Sequence, residues 1–180
     1  GYNMETSDNV ELGARFRQEW CEIMPALYFA KHDNLLTTIY DPRVNLSYQQ
    51  NVGKATGWGA ELTTNFFLRK DLTFFVNPSF TRLTYDEDLT YAGYTLDTKG
   101  NQVVDTPEWM LKNGLIYNYK GFEITPSLRC LSSRYGDAEN NEKIGAYVVA
   151  DLILSYTTKK VPFTDAMKLS LEMYNLFNNK

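Results

Sequence analysis

The residues that could do chemistry in this sequence are few, and they are scattered. His32 is the only histidine, and it lies beside Asp33 at the start of a polar stretch. The acids Asp86–Asp88 precede two tyrosines, in a position that suits a solvated loop tip or a loose contact with a divalent cation. A catalytic centre or a metal site requires several such groups to converge. The sequence therefore predicts no enzyme, no metal site and no cofactor.

The cysteines, the glycines and the charge balance give no further chemical signal. Cys21 and Cys130 are far apart and lack the spacing of metal ligands, so we expect two small apolar residues on strands. Gly57 and Gly59 lack the spacing of a phosphate-binding loop. The chain carries 18 Lys and Arg against 22 Asp and Glu, a net charge of −4. This balance argues against nucleic acid as a partner, because nucleic acid selects basic surfaces.

The elements that position these residues are strands. In VDTPEWMLKNGLIYNYKGFEITPSLR, residues 104–129, apolar and polar side chains alternate on both sides of Lys120-Gly121. A period of two is strand geometry, so this stretch is predicted to be a hairpin with one apolar and one polar face. A two-residue turn at Lys120-Gly121 would place Lys112 directly opposite Arg129 on the polar face.

The same alternation predicts about eight long strands along the chain. Their ranges are 9–16, 20–32, 48–66, 72–85, 106–119, 122–134, 146–157 and 167–177. Short links alternate with long polar links at 33–47, 86–105 and 136–145, which indicates one plain rim and one elaborate rim. The predicted fold class is therefore all-β, an antiparallel up-and-down meander of about eight long strands.

Two features complicate this interpretation. Pro25, Pro78 and Pro126 fall inside predicted strands, where each removes a donor from the ladder, so we expect a β-bulge and a local register shift at each of them. The strand at 20–32 is apolar on both parities apart from Glu22, so alternation does not assign its two faces.

The apolar faces could pack on a second sheet or contact lipid. Trp109 and Tyr119 share a face and lie about 33 Å apart along a strand. With a tilt of about 40° this distance projects to about 25 Å, the height of the apolar band between the aromatic girdles of outer-membrane barrels. The sequence contains no apolar run of about 18 residues, so it does not predict a transmembrane helix. A transmembrane β-barrel is favoured, and the alternative is a soluble all-β ligand-binding module, either a lipocalin-like barrel or a sandwich.

Charged residues in mid-strand lie opposite the apolar residues of their own strands. A barrel would turn them into its lumen, because a Lys or Arg that faced lipid at the midplane would cost about 2–4 kcal/mol. Arg82 and Arg134 share the apolar parity but lie at long-loop ends, where they could reach lipid headgroups. The predicted lumen-facing charges are Glu61, Lys112, Glu123, Arg129, Asp151 and Glu172.

Five short motifs resemble the TonB-dependent outer-membrane receptors. NVGKATGWGAEL, residues 51–62, resembles their Asn-x-Gly…Gly-x-Glu strand, and VDTPEW, residues 104–109, resembles their Pro-led strand after a long extracellular loop. Further strands of the family resemble NVELGARF at 9–16, YVVADLILSY at 147–156 and LEMYNLFNNK at 171–180. The five motifs occur in the family's order.

This resemblance implies a receptor of the Gram-negative outer membrane, in which a plug domain fills a barrel of roughly 22 strands. Such receptors import scarce ligands such as ferric siderophores, with energy that TonB supplies through the plug. Residues 1–180 would form one domain, a carboxy-terminal part of the barrel without the plug and the last strand. The expected partners are outer-membrane lipid, the plug of the same parent chain, TonB through that plug and a small molecule such as a metal chelate.

The resemblance also implies roles for particular side chains. Ligand contacts would come from the long extracellular loops, where Tyr and Arg offer flat contact area with a hydrogen bond or a charge. Ordinary loop or girdle positions are the more frequent role for such residues. The candidates are Tyr40, Arg43, Tyr91, Tyr94 and Tyr135. Because like charges opposed across strands are unfavourable, we expect a plug carboxylate or an acid on an adjacent strand between Lys112 and Arg129.

Overall fold

The protein, in a computed structural model, consists of strands and their connections over the residues that the structure describes. These are residues 3–41, 45–51, 53–91, 94–159 and 161–179, with the backbone alone at 37–41, 46–50, 91 and 94. The strands are β1 (Thr6–Gly13), β2 (Phe16–Arg17), β3 (Cys21–Asp33), β4 (Leu36–Asp41), β5 (Leu46–Asn51), β6 (Lys54–Arg69), β7 (Leu72–Tyr85), β8 (Leu89–Tyr91), β9 (Tyr94–Leu96), β10 (Trp109–Tyr119), β11 (Phe122–Leu131), β12 (Arg134–Tyr135), β13 (Lys143–Ile144), β14 (Tyr147–Thr158) and β15 (Met167–Met173). Within these ranges no helix is long and apolar enough to cross a membrane.

One antiparallel sheet contains nine of the strands. Its order is β1-β3-β6-β7-β10-β11-β14-β15, with β2 also paired to β3. The other six strands form three hairpins, β4–β5, β8–β9 and β12–β13, which lie in the long links. The predicted all-β meander is confirmed, and every predicted long strand overlaps a strand of the main sheet. In the described part of the chain β1 and β15 are the two edges of this sheet.

The register divides the sheet into two faces, because residues paired across strands point to the same side. One face, here called the apolar face, carries Leu27, Phe29, Trp58, Phe74, Leu115, Ile124, Leu128 and Leu154. The other, here called the charged face, carries Glu61, Lys112, Glu123, Arg129, Asp151 and Glu172. The register also assigns β3, which alternation left open: Phe29 pairs with Trp58 on the apolar face, and Tyr28 pairs with Gly59 on the charged face.

No second layer of the described residues covers the apolar face. Leu115, Ile124 and Leu128 are 38%, 40% and 43% exposed, although each lies in the middle of the sheet. Leu111, Leu152 and Leu154 are half-buried by their neighbours in the same sheet. A sandwich would bury all six of these side chains, so the structure contradicts that alternative.

Aromatic rings gather in two rows on the apolar face. Near the long links, the ring centroids of Trp58 and Phe80 lie 5.1 Å apart, and those of Phe80 and Trp109 lie 4.8 Å apart. Near the short links, the contacts are Trp20 with Phe66, Phe66 with Phe74, and Phe122 with Tyr156. This arrangement matches the two aromatic girdles of a barrel that spans a membrane.

The expected register shifts at the three prolines do not occur. Pro25 pairs with Leu62 within an unbroken β3–β6 register, and the registers on both sides of Pro78 and Pro126 are also constant. In an antiparallel ladder a residue directs its N–H and C=O to the same neighbour, so a proline weakens the pairing on one side only. The other neighbouring strand maintains the register. The one shift in the described strands lies between Phe67 and Arg69.

Two side chains replace the ladder where Pro78 interrupts it. The β6–β7 pairs are absent between Glu61–Ser79 and Asn65–Phe75. There the backbone N–H of Thr64 donates to Asn77 Oδ1 at 3.0 Å, and Thr64 Oγ1 donates to the carbonyl of Val76. Thr64 and Asn77 therefore satisfy backbone groups of Thr64 and Val76 where the direct β6–β7 pairing is interrupted.

Candidate functional site

The charged face carries ion pairs between neighbouring strands. Arg129 donates to Asp151 at 3.1 Å, and Lys168 donates to Glu123 at 3.2 Å. Asp151 is buried, and its other oxygen accepts a hydrogen bond of 2.9 Å from the backbone N–H of Asn175. The Asp151 carboxylate is therefore fixed by two donors, the Arg129 side chain on β11 and the backbone of Asn175 just after β15.

Lys112 is placed differently from these paired residues. The register confirms that it lies directly opposite Arg129, with Asn77 as its partner on the other neighbouring strand. Asp151 is the adjacent-strand acid that the sequence analysis expected, but it forms an ion pair with Arg129 alone. Within the described residues Lys112 has no ion pair.

The other charged residues differ in whether they contact a polar partner. Glu61 is exposed on the charged face and has no ion pair in the described part of the chain. Glu172 accepts a hydrogen bond from the Tyr174 hydroxyl. The expectation for Arg134 requires correction: its side chain is only 18% exposed, pairs with Asp105 and lies 5.5 Å above the ring of Tyr147. Arg134 is therefore held by protein groups and does not extend to headgroups.

Two aromatic rings lie on glycines of the charged face, and the alternation of the sequence does not predict them. A Cβ at Gly59 would come within 2.4 Å of the Tyr28 ring, and one at Gly114 would come within 2.8 Å of the Phe75 ring. The detectable signal was glycine in the middle of a strand, which often marks a close approach by another group. The Phe75 ring covers Gly114, two residues from Lys112, whereas the Tyr28 ring covers Gly59 on β6, two strands away from Lys112.

A small hydrophobic core lies at the long-loop end of the sheet. Ala55, Tyr85, Leu89 and Val103 are buried there, with Leu83 and Leu96 packed against them. Tyr85 is 1% exposed and lies on the charged face beneath the loop. The predicted long polar link at 86–105 is thus a folded cap with its own hairpin.

The acidic cluster of this link organises the loop. Asp88 Oδ1 accepts hydrogen bonds from the backbone N–H groups of Thr98 and Lys99, at 3.1 and 2.9 Å. Asp86 accepts a hydrogen bond of 2.7 Å from Thr56 Oγ1. His32 Nδ1 is buried, has no hydrogen-bond partner among the described residues and lies 4.0 Å from Glu5 Oε1. In the described residues no three His, Cys, Asp or Glu side chains form a group that could hold a metal ion.

The second and third long links dock on each other. Asn140 accepts a hydrogen bond from the N–H of Gln102 and donates one to its C=O, both at 2.9 Å. Asn101 donates to the carbonyl of Ala138, and the N–H of Asp105 donates to the carbonyl of Tyr135. Residues 97–105 and 135–142 therefore form one unit above the sheet.

The candidate ligand residues occupy different parts of this end. Tyr135 is half-buried on β12, beside the docked links. Tyr91 pairs with Tyr94 through the backbone of the β8–β9 hairpin, and Tyr40 lies opposite Ser47 on β4–β5. Arg43 lies outside the described residues. Apart from the Tyr91–Tyr94 backbone pairing, the described contacts do not bring these candidates together.

The comparisons with known proteins identify the family. The family model described as TonB dependent receptor-like, beta-barrel, matches residues 1–176. The chain belongs to the TonB-dependent receptor family. This membership places the chain in the outer membrane of a Gram-negative bacterium, as part of a transmembrane β-barrel. The family consists of transport receptors and not of enzymes.

Individual relatives agree with this assignment. The ferrichrome outer membrane transporter/phage receptor of Escherichia coli (strain K12) is 31% identical over 98 residues, which is 51% of this chain and 13% of that protein. The ferric yersiniabactin uptake receptor from Yersinia pestis superposes on 97% of the chain with a TM-score of 0.66 at 20% identity. The ferric citrate transporter in its unliganded form superposes on 96%, with a TM-score of 0.71 at 17% identity.

This TonB-dependent receptor chain covers only part of the proteins that it resembles. It spans 25% of the ferric yersiniabactin receptor and 26% of the ferric citrate transporter. The match to these two structures concerns the arrangement of strands in a barrel, which is the fold described above.

Proposed function

We propose that the chain is part of an outer-membrane transport receptor that imports a scarce ligand, of the class of ferric siderophores and similar metal chelates. The charged face would line the lumen, and the apolar face would contact lipid. The observation that carries this proposal is the single-layer sheet with exposed leucines on one face and paired charges on the other. Only a barrel with an aqueous or protein-filled interior and a lipid exterior accommodates both faces.

The ligand class follows from the relatives. The similar proteins are named for ferrichrome, ferric yersiniabactin, ferric citrate and copper. A metal is common to these names, and three of them name iron complexes, so a chelated metal is the ligand class that we assign. Ferrichrome is the first ligand to test, because the ferrichrome transporter is the relative with 31% identity.

The domain organisation and partners form part of the same proposal. Residues 1–180 would be one continuous carboxy-terminal segment of the barrel, and further strands of the parent chain would pair with the edges β1 and β15. The lumen would hold the plug domain of the parent chain, and TonB would act through that plug. The ligand would contact the long-loop end, through Tyr135 beside the docked links and through Tyr40, Arg43, Tyr91 and Tyr94.

The test uses the full-length receptor that contains these residues. Its gene is expressed in a host that lacks its own siderophore receptors, and accumulation of iron-labelled ferrichrome, iron-labelled ferric citrate and copper is measured with and without TonB. We expect TonB-dependent accumulation of at least one chelate. If the receptor reaches the outer membrane and none of a broad panel of chelates accumulates above the receptor-free host, the proposal is wrong.

A pair of variants tests the loop assignment. Tyr135→Ala removes a flat polar surface beside the docked links, so we expect about a tenfold increase in the chelate concentration that gives half-maximal uptake, equivalent to about 1.4 kcal/mol. Tyr119→Ala changes an exposed tyrosine near the short-link rim and serves as the matched control. Equal effects of the two variants would remove the ligand role of Tyr135.

A further inference from the structure

The end of β3 carries the only histidine of the chain, and this histidine lies beside the hydrophobic core of the loop end. His32 faces Ser7 on β1 and Ala55 on β6, and Ala55 faces Tyr85 on β7. Ala55 and Tyr85 are 0% and 1% exposed. The His32 side chain is 22% exposed, and its Nδ1 atom is buried with no hydrogen-bond partner among the described residues. This nitrogen is therefore shielded from water without a polar contact that compensates for the burial.

The acid beside this nitrogen also holds the start of the first hairpin. Glu5 Oε1 lies 4.0 Å from His32 Nδ1, a distance too long for a hydrogen bond. The other oxygen of the same carboxylate, Oε2, accepts a hydrogen bond of 3.1 Å from the backbone N–H of Leu36, the first residue of β4. The Glu5 carboxylate therefore lies between the end of β3 and the start of the β4–β5 hairpin.

The residues before Glu5 contact the other strand of the same hairpin. The N–H of Asn3 donates to Asn51 Oδ1 at 2.8 Å, and Asn51 is the last residue of β5. Asn51 Nδ2 donates to the carbonyls of Asn3 and Asn34, and Asn34 Nδ2 donates to the carbonyl of Met4. These contacts join neutral groups, so they do not respond to pH. The Glu5 carboxylate adds a contact at this joint that does depend on charge.

The other titratable groups on this side of the sheet are engaged or placed elsewhere. The Tyr85 hydroxyl accepts an N–H from the loop backbone. Glu87 lies against the glycine before β6 and forms no ion pair with His32 within the described residues. Glu5 is therefore the carboxylate that a charged His32 would contact. The remaining charged residues of these strand ends lie on the opposite face, and they are Asp8, Lys31, Asp33 and Lys54.

We propose that His32 and Glu5 form a pH-sensitive clasp at the base of the β4–β5 hairpin. An imidazole takes up a proton from water as the pH falls from about 8 to about 5. The imidazolium carries an N–H on both ring nitrogens, so Nδ1 donates to Glu5 Oε1 once the two side chains close by about 1 Å. Glu5 then holds His32 through one oxygen and Leu36 through the other. As the pH rises, His32 loses its charge and the attraction is lost with it.

Hydrogen exchange of the full-length receptor in lipid vesicles tests the clasp without any ligand. Protection of the amides in residues 34–41 is compared at about pH 5.5 and about pH 8, after correction for the intrinsic exchange rate at each pH. We expect about threefold greater protection at the acidic pH, the size typical of an ion pair with one partly exposed partner. Residues 97–105 lie outside this joint, so they are the internal control and should show no such difference.

Three variants identify the groups that are responsible. His32→Gln has no titrating side chain, and Glu5→Gln keeps an oxygen for the Leu36 N–H but carries no charge, so each should give equal protection at the two pH values. Glu87→Gln removes the second carboxylate near this joint, and as the matched control it should keep the threefold difference.

The outcomes separate the clasp from other causes of pH dependence. The proposal is overturned if the native receptor shows no difference in residues 34–41, or if the difference persists in His32→Gln or in Glu5→Gln. It is also overturned if Glu87→Gln removes the difference, since Glu87 would then be the partner of His32.

This result is independent of the transport assay, because the clasp requires only the described fold. Its consequence for uptake rests on the proposed function, since the β4–β5 hairpin carries Tyr40, one of the candidate ligand residues. The exchange difference in a receptor that accumulates no chelate would support the clasp and contradict the proposed ligand class. Chelate uptake by a receptor without the exchange difference would support transport and contradict the clasp.

Discussion

The long-loop end and the membrane-spanning sheet differ in how their hydrophobic residues are packed. Eight hydrophobic residues are buried in the described part of the chain, and four of them, Ala55, Tyr85, Leu89 and Val103, form the cluster beneath the loops. In the sheet, Leu128 is 43% exposed and Leu27 is 59% exposed. The loop end therefore resembles a small soluble domain with its own core, whereas the sheet has its apolar side chains on the outside.

The difference follows from the two solvents. In water a cluster such as that around Tyr85 is stabilised by removal of apolar surface. In a bilayer the surrounding lipid is as apolar as leucine, so the sheet is stabilised mainly by the backbone hydrogen bonds between its strands. Hydrophobic residues thus stabilise the loop end by packing against each other, whereas those of the sheet make its outer surface compatible with lipid.

The largest expected effect tests the packed region. Tyr85→Ala empties the centre of the loop cluster, and aromatic-to-alanine changes in cores cost about 3–5 kcal/mol. We expect residues 86–105 of the full-length receptor to become accessible to proteases and to exchange amide hydrogens faster, while the barrel remains folded. Leu128→Ala on the apolar face is the control, with an expected loss below about 1 kcal/mol. Equal losses would mean that the two regions are not packed differently.

The second prediction tests the two faces of the sheet. Leu115→Arg introduces a cation on the apolar face midway between the aromatic rows, with an expected cost of about 2–4 kcal/mol. Thr125→Arg introduces the same side chain on the charged face of the neighbouring strand and should cost less than about 1 kcal/mol. The measurement is urea unfolding of the full-length receptor in lipid vesicles. A larger loss from Thr125→Arg would reverse the assignment of the faces.

The same difference between the two regions explains which parts of the fold could be predicted from the sequence. The sheet obeys a local rule, alternation, so β7 begins and ends at the predicted residues 72 and 85, and the predicted turn at Lys120-Gly121 has the positive φ values of 47° and 89° that a tight hairpin needs. The loop cluster depends on contacts between Ala55, Leu89 and Val103, which no local pattern records. Parity likewise predicted the face on which Asp151 and Lys112 lie. It could not predict which Lys or Arg forms an ion pair with a given acid, because that depends on the direction of the side chains across the strands.

The third prediction concerns close packing within the sheet. Gly114→Ala would place its Cβ 2.4 Å from the carbonyl of Pro126 and 2.8 Å from the Phe75 ring, so strands or ring must move, at a cost of about 1–3 kcal/mol. At Gly13 on the edge strand β1 a Cβ would lie 3.5 Å from its nearest neighbour, an ordinary contact, so Gly13→Ala is the matched control. Urea unfolding in vesicles measures both, and similar stabilities of the two variants would show that the sheet around Gly114 is loosely packed.

The smallest expected effect tests whether the docked links form one unit with the loop cluster. Asn140 makes two hydrogen bonds to the backbone of Gln102 and has a φ of 60°, a conformation that favours Asn and Gly. Asn140→Gly removes the hydrogen bonds without backbone strain and should destabilise the docked links by about 1–2 kcal/mol. Asn140→Ala removes the same bonds and adds strain at this φ, so its loss of stability should be larger.

Hydrogen exchange at residues 97–105 measures both variants. Faster exchange there, without change in the strands, would show that the links are joined to each other through Asn140 and can open separately from the sheet. Unchanged exchange in both variants would show that the cluster around Tyr85 alone holds residues 97–105 in place.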